Sequence, residues 1–358
     1  MNVDVSLPAD RPNFRIWFIA CWILAAGIAL TLIWAFFIYT PAKADRDEAQ
    51  RTMIAAIRLD KPSPKTLNPA YADANHHLVA DAPTDPKLWL DPPKLTFCFE
   101  ADEDADENRD VWKDFTDYLS KVTGKPVEYV MVKSSEEQLK AFKAGRLTVA
   151  GFDTGDVPEA VDACGFVPVA SLGDANGKAT FQVEIIVPAN SPIITPQDLE
   201  GHELALTQST SASEFKAPIV LLKSEFGLLP FRDYDVRFSG GEQASMAGIV
   251  KKTFDAAAVG NDALRVAIAN GKIKPSDYRS IYKSPNLPTD CIGYAYNLRP
   301  ELAEKVRQTI ATFPWKDSSV EKGYRAYDRT RFVPVSYKDD WALLRQIDDS
   351  FDYEYKSK

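Results

Sequence analysis

From Leu95 onward, short apolar runs of strand length alternate with segments of helical periodicity, and this alternation constrains the fold more than any other feature of the chain. The apolar runs predict strands, and the amphipathic segments that stop at a glycine predict helices with a left-handed cap. Alternating strands and helices build a mostly parallel sheet with helices on its faces. Because the alternation occurs in two successive blocks, the sequence predicts two α/β lobes.

The predicted elements follow from this pattern. In the first block, strands are predicted at Leu95–Phe99, Val127–Val132, Leu147–Ala150 and Phe166–Ala170, with helices at Val111–Val122, Glu136–Ala144 and Val157–Ala163. In the second block, strands are predicted at Phe181–Val187, Glu203–Leu206, Asp235–Phe238, Ala256–Val259 and Tyr278–Ile281, with helices at Glu214–Glu225, Gln243–Lys252 and Ala263–Asn270. Cys291–Leu298 is predicted to be a strand that returns to the first lobe, before helices at Glu301–Phe313 and Lys338–Asp349.

These elements set the predicted boundaries of the chain. Lobe 1 comprises residues 94–184 plus 291–358, and lobe 2 comprises residues 185–290. The hinge is predicted at the two crossing strands, Phe181–Val187 and Cys291–Leu298. Residues 40–93 are predicted to be a polar helix over Asp45 to Arg58 and then a proline-rich spacer or surface strap, since proline blocks helix interiors and central strands.

The run from Ile16 to Tyr39 contains no charged residue and carries Trp17, Trp22, Trp34 and Tyr39 towards its ends. About 20 apolar residues cross a ~30 Å hydrocarbon core, and aromatic rings favour the interface. The run predicts a transmembrane signal-anchor over residues 16–39, with residues 1–15 in the cytoplasm. The predicted location is therefore single-pass in the inner membrane, with the C-terminal domain in the periplasm or outside the cell. A cleaved signal peptide, cut near Ala42-Lys43-Ala44, is the alternative.

Composition and motifs exclude several classes of function. The net charge is −9, and Lys and Arg are scattered, so a nucleic-acid partner is not predicted. The chain has three histidines and lacks the motifs of a nucleophile elbow, a zinc protease or a P-loop, so we predict no enzyme, no cofactor and no metal site. Beyond Cys21, the chain has Cys98, Cys164 and Cys291 and no CxxC motif. These three are expected either to form one disulfide or to be buried thiols.

Chemistry in an open α/β sheet concentrates where strands end and helices begin. At one such junction, Ser209, Thr210, Ser211 and Ser213 follow the strand Glu203–Leu206. Clustered hydroxyls and amides at a helix start attract an anion, which predicts an oxyanion site. The alternative is ordinary N-capping.

Other strand ends supply further candidates. In lobe 2 they are Ser239 and Glu242 after Phe238, together with Asp255 and Asp262 around Ala256–Val259. In lobe 1 they are Glu100 and the stretch Phe152, Asp153, Thr154. All are predicted ligand-binding residues, although a capped loop and a solvated charge run are the plainer interpretations of several of them.

Several stretches resemble the PhnD-like phosphate-, phosphite- and phosphonate-binding proteins of ABC transporters, over roughly Leu95 to Phe351. The stretches are Ile185-Ile186-Val187, Asp198-Leu199-Glu200-Gly201, Ser209-Thr210-Ser211-Ala212 with Pro218, Phe238-Ser239-Gly240-Gly241-Glu242, Asp255-Ala256-Ala257-Ala258-Val259 and Ser284-Pro285. The resemblance implies the type 2 periplasmic-binding-protein fold. It also implies that Ser209, Thr210 and Ser211 hold an anion, that Phe152–Thr154 close over it, and that Asp255 and Asp262 shape its far end.

The resemblance implies a membrane-anchored extracytoplasmic solute-binding protein that captures a phosphonate- or phosphate-like oxyanion for an ABC permease. Two residues depart from the family pattern. Ala212 replaces the glycine after the hydroxyls, and Glu242 replaces a histidine, which places a carboxylate beside the expected anion. An aminated or less charged ligand would relieve that repulsion. The alternative function is a sensory or scaffold subunit of a membrane complex that uses the same fold without transport.

Overall fold

The computed structural model describes residues 14–34, 66–100, 105–209 and 211–350. Contacts divide the chain into two units, residues 1–55 and residues 56–358. The described part of the first unit is one helix, α1 (Phe14–Trp34), in which the Thr31 hydroxyl donates to the Gly27 carbonyl across 2.8 Å. The predicted polar helix over Asp45 to Arg58 lies outside the described residues.

No helix in the described parts of the chain is both long and apolar enough to cross a bilayer. This finding corrects the predicted transmembrane signal-anchor of residues 16–39 and the predicted single-pass location in the inner membrane. Residues 35–39 of the predicted anchor lie outside the described residues.

The second unit holds the strands, which we number in chain order. They are β1 (Leu95–Phe99), β2 (Val127–Tyr129), β3 (Val149–Phe152), β4 (Phe166–Gly173), β5 (Thr180–Phe181), β6 (Val183–Pro188), β7 (Glu203–Leu206), β8 (Asp235–Phe238), β9 (Ala256–Gly260), β10 (Tyr278–Lys283), β11 (Leu287–Pro288), β12 (Cys291–Ala295) and β13 (Arg331–Pro334). Most of the predicted strands are confirmed, and three of them, β1, β7 and β8, have the predicted bounds.

Its helices are α2 (Ala105–Val111), α3 (Lys113–Thr123), α4 (Ser135–Lys143), α5 (Val157–Cys164), α6 (Ala217–Phe226), α7 (Glu242–Lys251), α8 (Asn261–Ala269), α9 (Pro300–Thr312), α10 (Ser319–Tyr324), α11 (Tyr337–Asp340) and α12 (Ala342–Ser350). Gly124, Gly165 and Gly227 adopt left-handed conformations at the ends of α3, α5 and α6. Glycine has no Cβ to clash in that conformation, so these helices end where the sequence predicted.

The strands form two main sheets. The sheet of lobe 1 has the order β13-β4-β12-β3-β1-β2, in which β1, β2 and β3 are parallel and β12 runs antiparallel to both β3 and β4. The sheet of lobe 2 has the order β10-β6-β9-β7-β8, in which β7 is parallel to β8 and β9. The prediction of two α/β lobes is confirmed. The prediction of a mostly parallel sheet is wrong, because β12 and β13 add antiparallel pairs in lobe 1 and β6 pairs antiparallel with β9 and β10 in lobe 2.

A third, two-stranded sheet joins the lobes. β5 pairs antiparallel with β11, with Phe181 opposite Leu287 and Thr180 opposite Pro288. The predicted hinge strands extend further, but β6 belongs to the sheet of lobe 2 and β12 to that of lobe 1. The crossing is therefore shorter than predicted and lies at β5 and β11.

The predicted helix Glu214–Glu225 is wrong in its first turn. A single π-helical turn covers Ala212–Lys216, and the α-helix begins at Ala217 with Pro218 in its first turn. Proline has no N–H to donate to the residue four positions earlier, so regular α-helix cannot pass through Pro218 from Glu214. The wider turn places Ser211, Ser213 and Glu214 around one loop.

The described part of the proline-rich segment is a strap on lobe 1. Leu67, Leu78 and Ala80 are buried, and the Leu90 amide donates to the Asn297 carbonyl across 2.7 Å. At the other end of the chain, Ile347 of α12 packs with Ala217, Val220 and Leu221 of lobe 2.

Candidate functional site

Three carboxylates stand at one edge of the lobe 1 sheet because of the strand register. β1 and β3 are parallel with Phe99 opposite Gly151, so Glu100 and Asp153 follow neighbouring strand ends. β12 is antiparallel with Cys291 opposite Phe152, so Asp290 lies on the same edge. Glu100 is held there by a left-handed backbone (φ 52°) and by its amide, which donates to the Gly151 carbonyl across 2.9 Å.

Three more carboxylates stand at the carboxyl edge of the lobe 2 sheet. Glu214, Glu242 and Asp262 lie in the first helical turns after β7, β8 and β9. The Gly260 amide donates to Glu242 Oε1 across 2.6 Å. A Cβ placed on Gly260 would lie 2.9 Å from Asp262 Oδ1, 2.9 Å from Glu242 Oε1 and 3.7 Å from Glu214 Oε1. The absence of a side chain at Gly260 therefore leaves the room in which these oxygens converge.

The two edges face each other and touch. A Cβ on Gly155 of lobe 1 would lie 2.7 Å from the Cβ of Ala212 in lobe 2. Arg329, which precedes β13 of lobe 1, forms an ion pair of 2.9 Å with Asp262 of lobe 2. The lobes therefore contact each other at these two places.

The predicted anion loop is occupied by a carboxylate of the chain itself. The Ser211 and Ser213 hydroxyls donate to Glu214 Oε2 across 2.9 and 2.8 Å. The Glu214 amide in turn donates to Ser211 Oγ across 3.0 Å. Ser209 is half-buried in the same loop, and Thr210 lies outside the described residues. The hydroxyls predicted to hold an external anion thus hold an internal one.

The proximity of these carboxyls changes their acidity. Burial raises the pKa of Glu242 to about 8 and that of Glu214 to about 7, and the two repel each other's charged forms. Burial, reinforced by Asp153, raises the pKa of Asp290 to about 7. The pKa of Glu100 is raised well above its usual range by burial and by Asp290. Near neutral pH the group therefore retains protons.

A seventh carboxyl adjoins the group on lobe 1. Asp156 precedes α5 and bonds the Ser135 side chain, and burial raises its pKa to about 7. Asp153 differs from the others, because the residue is exposed to solvent and desolvation by neighbouring protein atoms nevertheless raises its pKa.

The structure brings Glu100, Asp153, Glu242 and Asp262 together with Ser211. It does not place every predicted residue in the gap, by which we mean the space between the two facing sheet edges. Phe152 is fully buried and packs edge-on against Phe142 and Phe166.

Two lobe 2 candidates serve the local structure instead. The Ser239 hydroxyl is used within its own loop, 2.7 Å from Ser245 Oγ. Asp255 lies at the opposite end of β9, where its carboxylate accepts from the Glu203 amide and contacts His202.

Sequence reasoning missed Glu214, Asp290, Asp156 and Arg329 as site residues. A signal for Glu214 exists, since Ser211-Ala212-Ser213-Glu214 has the Ser-x-x-Glu spacing of a capping box. Asp290 immediately precedes the returning strand, and antiparallel pairing of that strand would have placed it beside Asp153. Arg329 lies in a stretch without helical or strand periodicity, so no pattern marks it.

Two buried hydroxyls beside the carboxyls have no hydrogen-bond partner. Thr154 Oγ1 and Thr207 Oγ1 belong to side chains that are 1% and 4% exposed. Thr154 lies between Asp153 and Gly155, and Thr207 directly follows β7, just before the serine loop. One Glu100 carboxyl oxygen is also buried without a partner. Such groups normally find a partner, so the gap is built of polar atoms that the protein alone does not satisfy.

Solved structures with the same fold come from several bacteria. A binding protein component of an ABC phosphonate transporter from Pseudomonas aeruginosa is 18% identical, covering 72% of this chain and 86% of that one, with a TM-score of 0.58. PhnD1 from Prochlorococcus marinus, in complex with methylphosphonate, is 17% identical, covering 72% and 97%, with a TM-score of 0.58. A protein from Xanthomonas citri bound to ATP is 17% identical, covering 74% and 100%, with a TM-score of 0.61. At these identities the likeness concerns the fold, and the predicted periplasmic-binding-protein fold is confirmed.

A family model matches residues 97–341, which is more than half of the chain, and it describes the periplasmic substrate-binding protein of phosphonate ABC transporters. The match spans both sheets and the junctions that carry the carboxyls. The family is one of binding proteins and not of enzymes. The chain belongs to the family of periplasmic substrate-binding proteins of ABC phosphonate transporters.

Proposed function

We propose that this protein captures a small solute between its two lobes and presents it to an ABC permease. The observation that carries the proposal is the facing of the two sheet edges. Polar side chains at the ends of β1, β3 and β12 oppose those after β7, β8 and β9, and Gly155 touches Ala212 at the closure. Ligands in open α/β folds bind at such edges, so the gap is the expected solute site.

The ligand predicted from the sequence is an oxyanion of the phosphonate or phosphate class. Family membership supports it, as do the serine hydroxyls at Ser211 and Ser213. Glu214 argues against a simple dianion, because its carboxylate already accepts hydrogen bonds from both hydroxyls. A phosphonate would have to displace that carboxylate before it could use them. The proposal of solute capture therefore does not depend on the ligand being a plain anion.

A solute screen with two readouts tests solute capture. Thermal shifts would be recorded with anionic, zwitterionic and cationic solutes, including phosphate, phosphite, methylphosphonate and 2-aminoethylphosphonate. We expect at least one class to raise the Tm. We also expect that solute to bind less well to the Gly155→Ala variant, whose added methyl opposes closure. A folded protein that responds to no class of solute would contradict the proposal.

The second candidate is a sensory or scaffold subunit that keeps the fold without transport. The observation that favours it is that the Glu214 carboxylate occupies the serine loop and that the Arg329–Asp262 ion pair bridges the lobes. This role predicts a stable protein partner in pull-downs from the native host. It also predicts small-angle scattering profiles that no solute changes.

A further inference from the structure

A cavity of about 720 Å³, which we call the rear cavity, lies on lobe 1 at the end of the sheet away from the gap. Tyr294 and Tyr296 line it at the far end of β12, whereas Asp290, at the near end of that strand, belongs to the gap. Asp290 and Tyr294 are about 13 Å apart along the strand, at ~3.3 Å per residue. Ligand pockets have volumes of about 300–1,000 Å³. The rear cavity is therefore distinct from the gap and large enough for a small molecule.

One wall of the rear cavity is the strap, which lies before the residues that the family model matches. His77 of the strap lines the cavity, and the amides of His77 and Leu78 donate to the Asp73 carboxylate across 2.9 and 3.0 Å. His76 and Leu78 have left-handed backbones (φ 57° and 62°), which residues other than glycine keep only where their surroundings hold them. The wall is therefore preformed, and it belongs to this chain and not to the part that matches the family.

The rear cavity is lined by a buried hydroxyl whose proton has no acceptor in the described parts of the chain. Tyr294 is 4% exposed, and its hydroxyl oxygen accepts from the Arg307 guanidinium. Among the described residues, no atom accepts from that hydroxyl in return. Burial and the nearby Glu304 raise the pKa of Tyr294 against the opposing charge of Arg307, so the phenol keeps its proton at neutral pH. Because buried donors normally find an acceptor, the arrangement indicates that a ligand supplies one beside Arg307.

The charged groups that line the rear cavity favour a single negative charge. Arg307 is half-exposed and shares its charge with Glu304 at 2.9 Å. Lys338 also lines the cavity and forms no ion pair with any described residue. The two carboxylates of the lining are used locally, Asp81 by a backbone amide at 2.7 Å and Asp339 by a serine hydroxyl at 2.6 Å. These carboxylates would repel a dianion more strongly than a monoanion.

We propose that the rear cavity is a second binding site, for a small monocarboxylic acid with an apolar ring or chain. Its carboxylate accepts from the Tyr294 hydroxyl and from the N–H groups of Arg307 that Glu304 and Tyr294 leave free, since a guanidinium has five. Its apolar body lies against Leu298 and Ala303, which are buried and line the cavity. This site goes beyond solute capture in the gap and does not depend on it.

Isothermal titration of the intact protein with matched probes tests the inference. The pairs are indole-3-acetate with indole-3-acetamide and octanoate with octanamide, whose members share an apolar body and differ in the carboxylate. The variants are Arg307→Gln, which removes the guanidinium, and Tyr294→Phe, which removes only the hydroxyl. Arg146→Gln is the matched control, at an exposed arginine of lobe 1 that does not line the cavity. Thermal melts by circular dichroism establish that each variant is folded.

We expect at least one carboxylate to bind about tenfold or more tightly than its amide, as a hydrogen bond to a charged group implies. Arg307→Gln should weaken that binding about tenfold or more and Tyr294→Phe about threefold or more, whereas Arg146→Gln should leave it unchanged. Amides that bind as tightly as the carboxylates, or no binding of either carboxylate, would overturn the inference.

The Gly155→Ala variant separates the rear cavity from the gap. If the carboxylate binds in the rear cavity, a methyl added between the lobes should not change its affinity. Weakening by Gly155→Ala without weakening by Arg307→Gln would place the carboxylate in the gap, which would overturn the second site and leave solute capture standing. Weakening by Arg307→Gln alone would support the second site even if the solute screen found no ligand for the gap.

Discussion

Ser211 and Glu214 are bonded to each other twice, through the Glu214 amide on Ser211 Oγ at 3.0 Å and the Ser211 hydroxyl on Glu214 Oε2 at 2.9 Å. The pair caps the π-helical turn and also closes the loop that resembles the family's anion site. One acidic side chain thus serves the local structure and occupies the hydroxyls that the resemblance assigns to an external anion. This double role decides how the loop should respond to mutation.

Glu214→Ala should increase affinity for methylphosphonate. The substitution releases the Ser211 and Ser213 hydroxyls and removes a negative charge from the gap, while the serine loop keeps its backbone amides. Because a hydrogen bond to a charged group is worth about 1.5–3 kcal/mol, we expect a gain of about tenfold or more, measured by isothermal titration. Glu200→Ala, on an exposed turn, provides the control and should change nothing. Unchanged or weaker methylphosphonate binding in Glu214→Ala would show that the hydroxyls do not face a ligand.

Much of the fold follows from the sequence because strands and helices here are locally specified. The apolar runs of β1, β7 and β8 are bounded by polar or turn residues, and Gly124, Gly165 and Gly227 end helices at the positions where only a left-handed residue fits. Sequence periodicity does not specify which strands pair with each other. The crossing between the lobes lies at the two-residue strands β5 and β11, which are too short to show any period.

The site was harder to predict than the fold, because its residues meet through tertiary contacts. Glu100, Asp153 and Asp290 are far apart in the chain, and only the β1-β3-β12 neighbour order brings them to one edge. Asp255 and Asp262 both flank β9, yet only the residue after the strand lies at the carboxyl edge. Strand direction distinguishes the two, and the residue type alone does not.

Gly155→Ala should hinder closure of the lobes. The new methyl would lie 2.7 Å from the Ala212 Cβ, closer than side-chain carbons approach each other, so the closed state must shift. We expect a larger radius of gyration by small-angle scattering and weaker binding of whichever solute the wild type takes. The double variant Gly155→Ala with Ala212→Gly removes the opposing methyl and should restore closure. If the double variant stays as open as Gly155→Ala, the contact does not control closure.

Three of the cysteines, Cys98, Cys164 and Cys291, should be thiols that do not react in the native protein. Cys98, Cys164 and Cys291 are free and buried, so the predicted alternative of a disulfide among them is not realised. Burial raises the pKa of Cys98 to about 12 and that of Cys164 to about 11, which suppresses the reactive thiolate. Iodoacetamide should label these three only after denaturation in guanidinium, as read by mass spectrometry. A peptide pair linked by a disulfide under non-reducing digestion would contradict this prediction.

Stability should fall as the pH rises from about 5 to about 9, because the gap carboxyls must then lose protons. Glu242 has an ordinary pKa near ~4.3 in the unfolded chain and about 8 in the folded one. Between these values the folded state binds more protons, so the free energy of unfolding declines with pH. The cost of ionising Glu242 is absent below the lower value and complete above the higher one. Burial is the largest cause of the raised pKa of Glu242, the charges of Glu214, Asp262 and Asp153 raise it further, and the hydrogen bond from the Gly260 amide opposes the rise.

Glu242→Gln tests this pH dependence, because glutamine can still accept from the Gly260 amide but has no proton to lose. We expect the variant to flatten the fall of Tm with pH and to melt at least about 2 °C higher than the wild type near pH 9. Near pH 5 the two should melt alike, since Glu242 is neutral there. The control is Glu301→Gln, at an exposed carboxylate whose pKa its own backbone amide and Arg299 lower. That carboxylate is ionised across the whole range, so the control should keep the wild-type slope. A wild-type Tm that rises with pH over this interval would mean that the carboxyls of the gap are charged and paired instead of protonated.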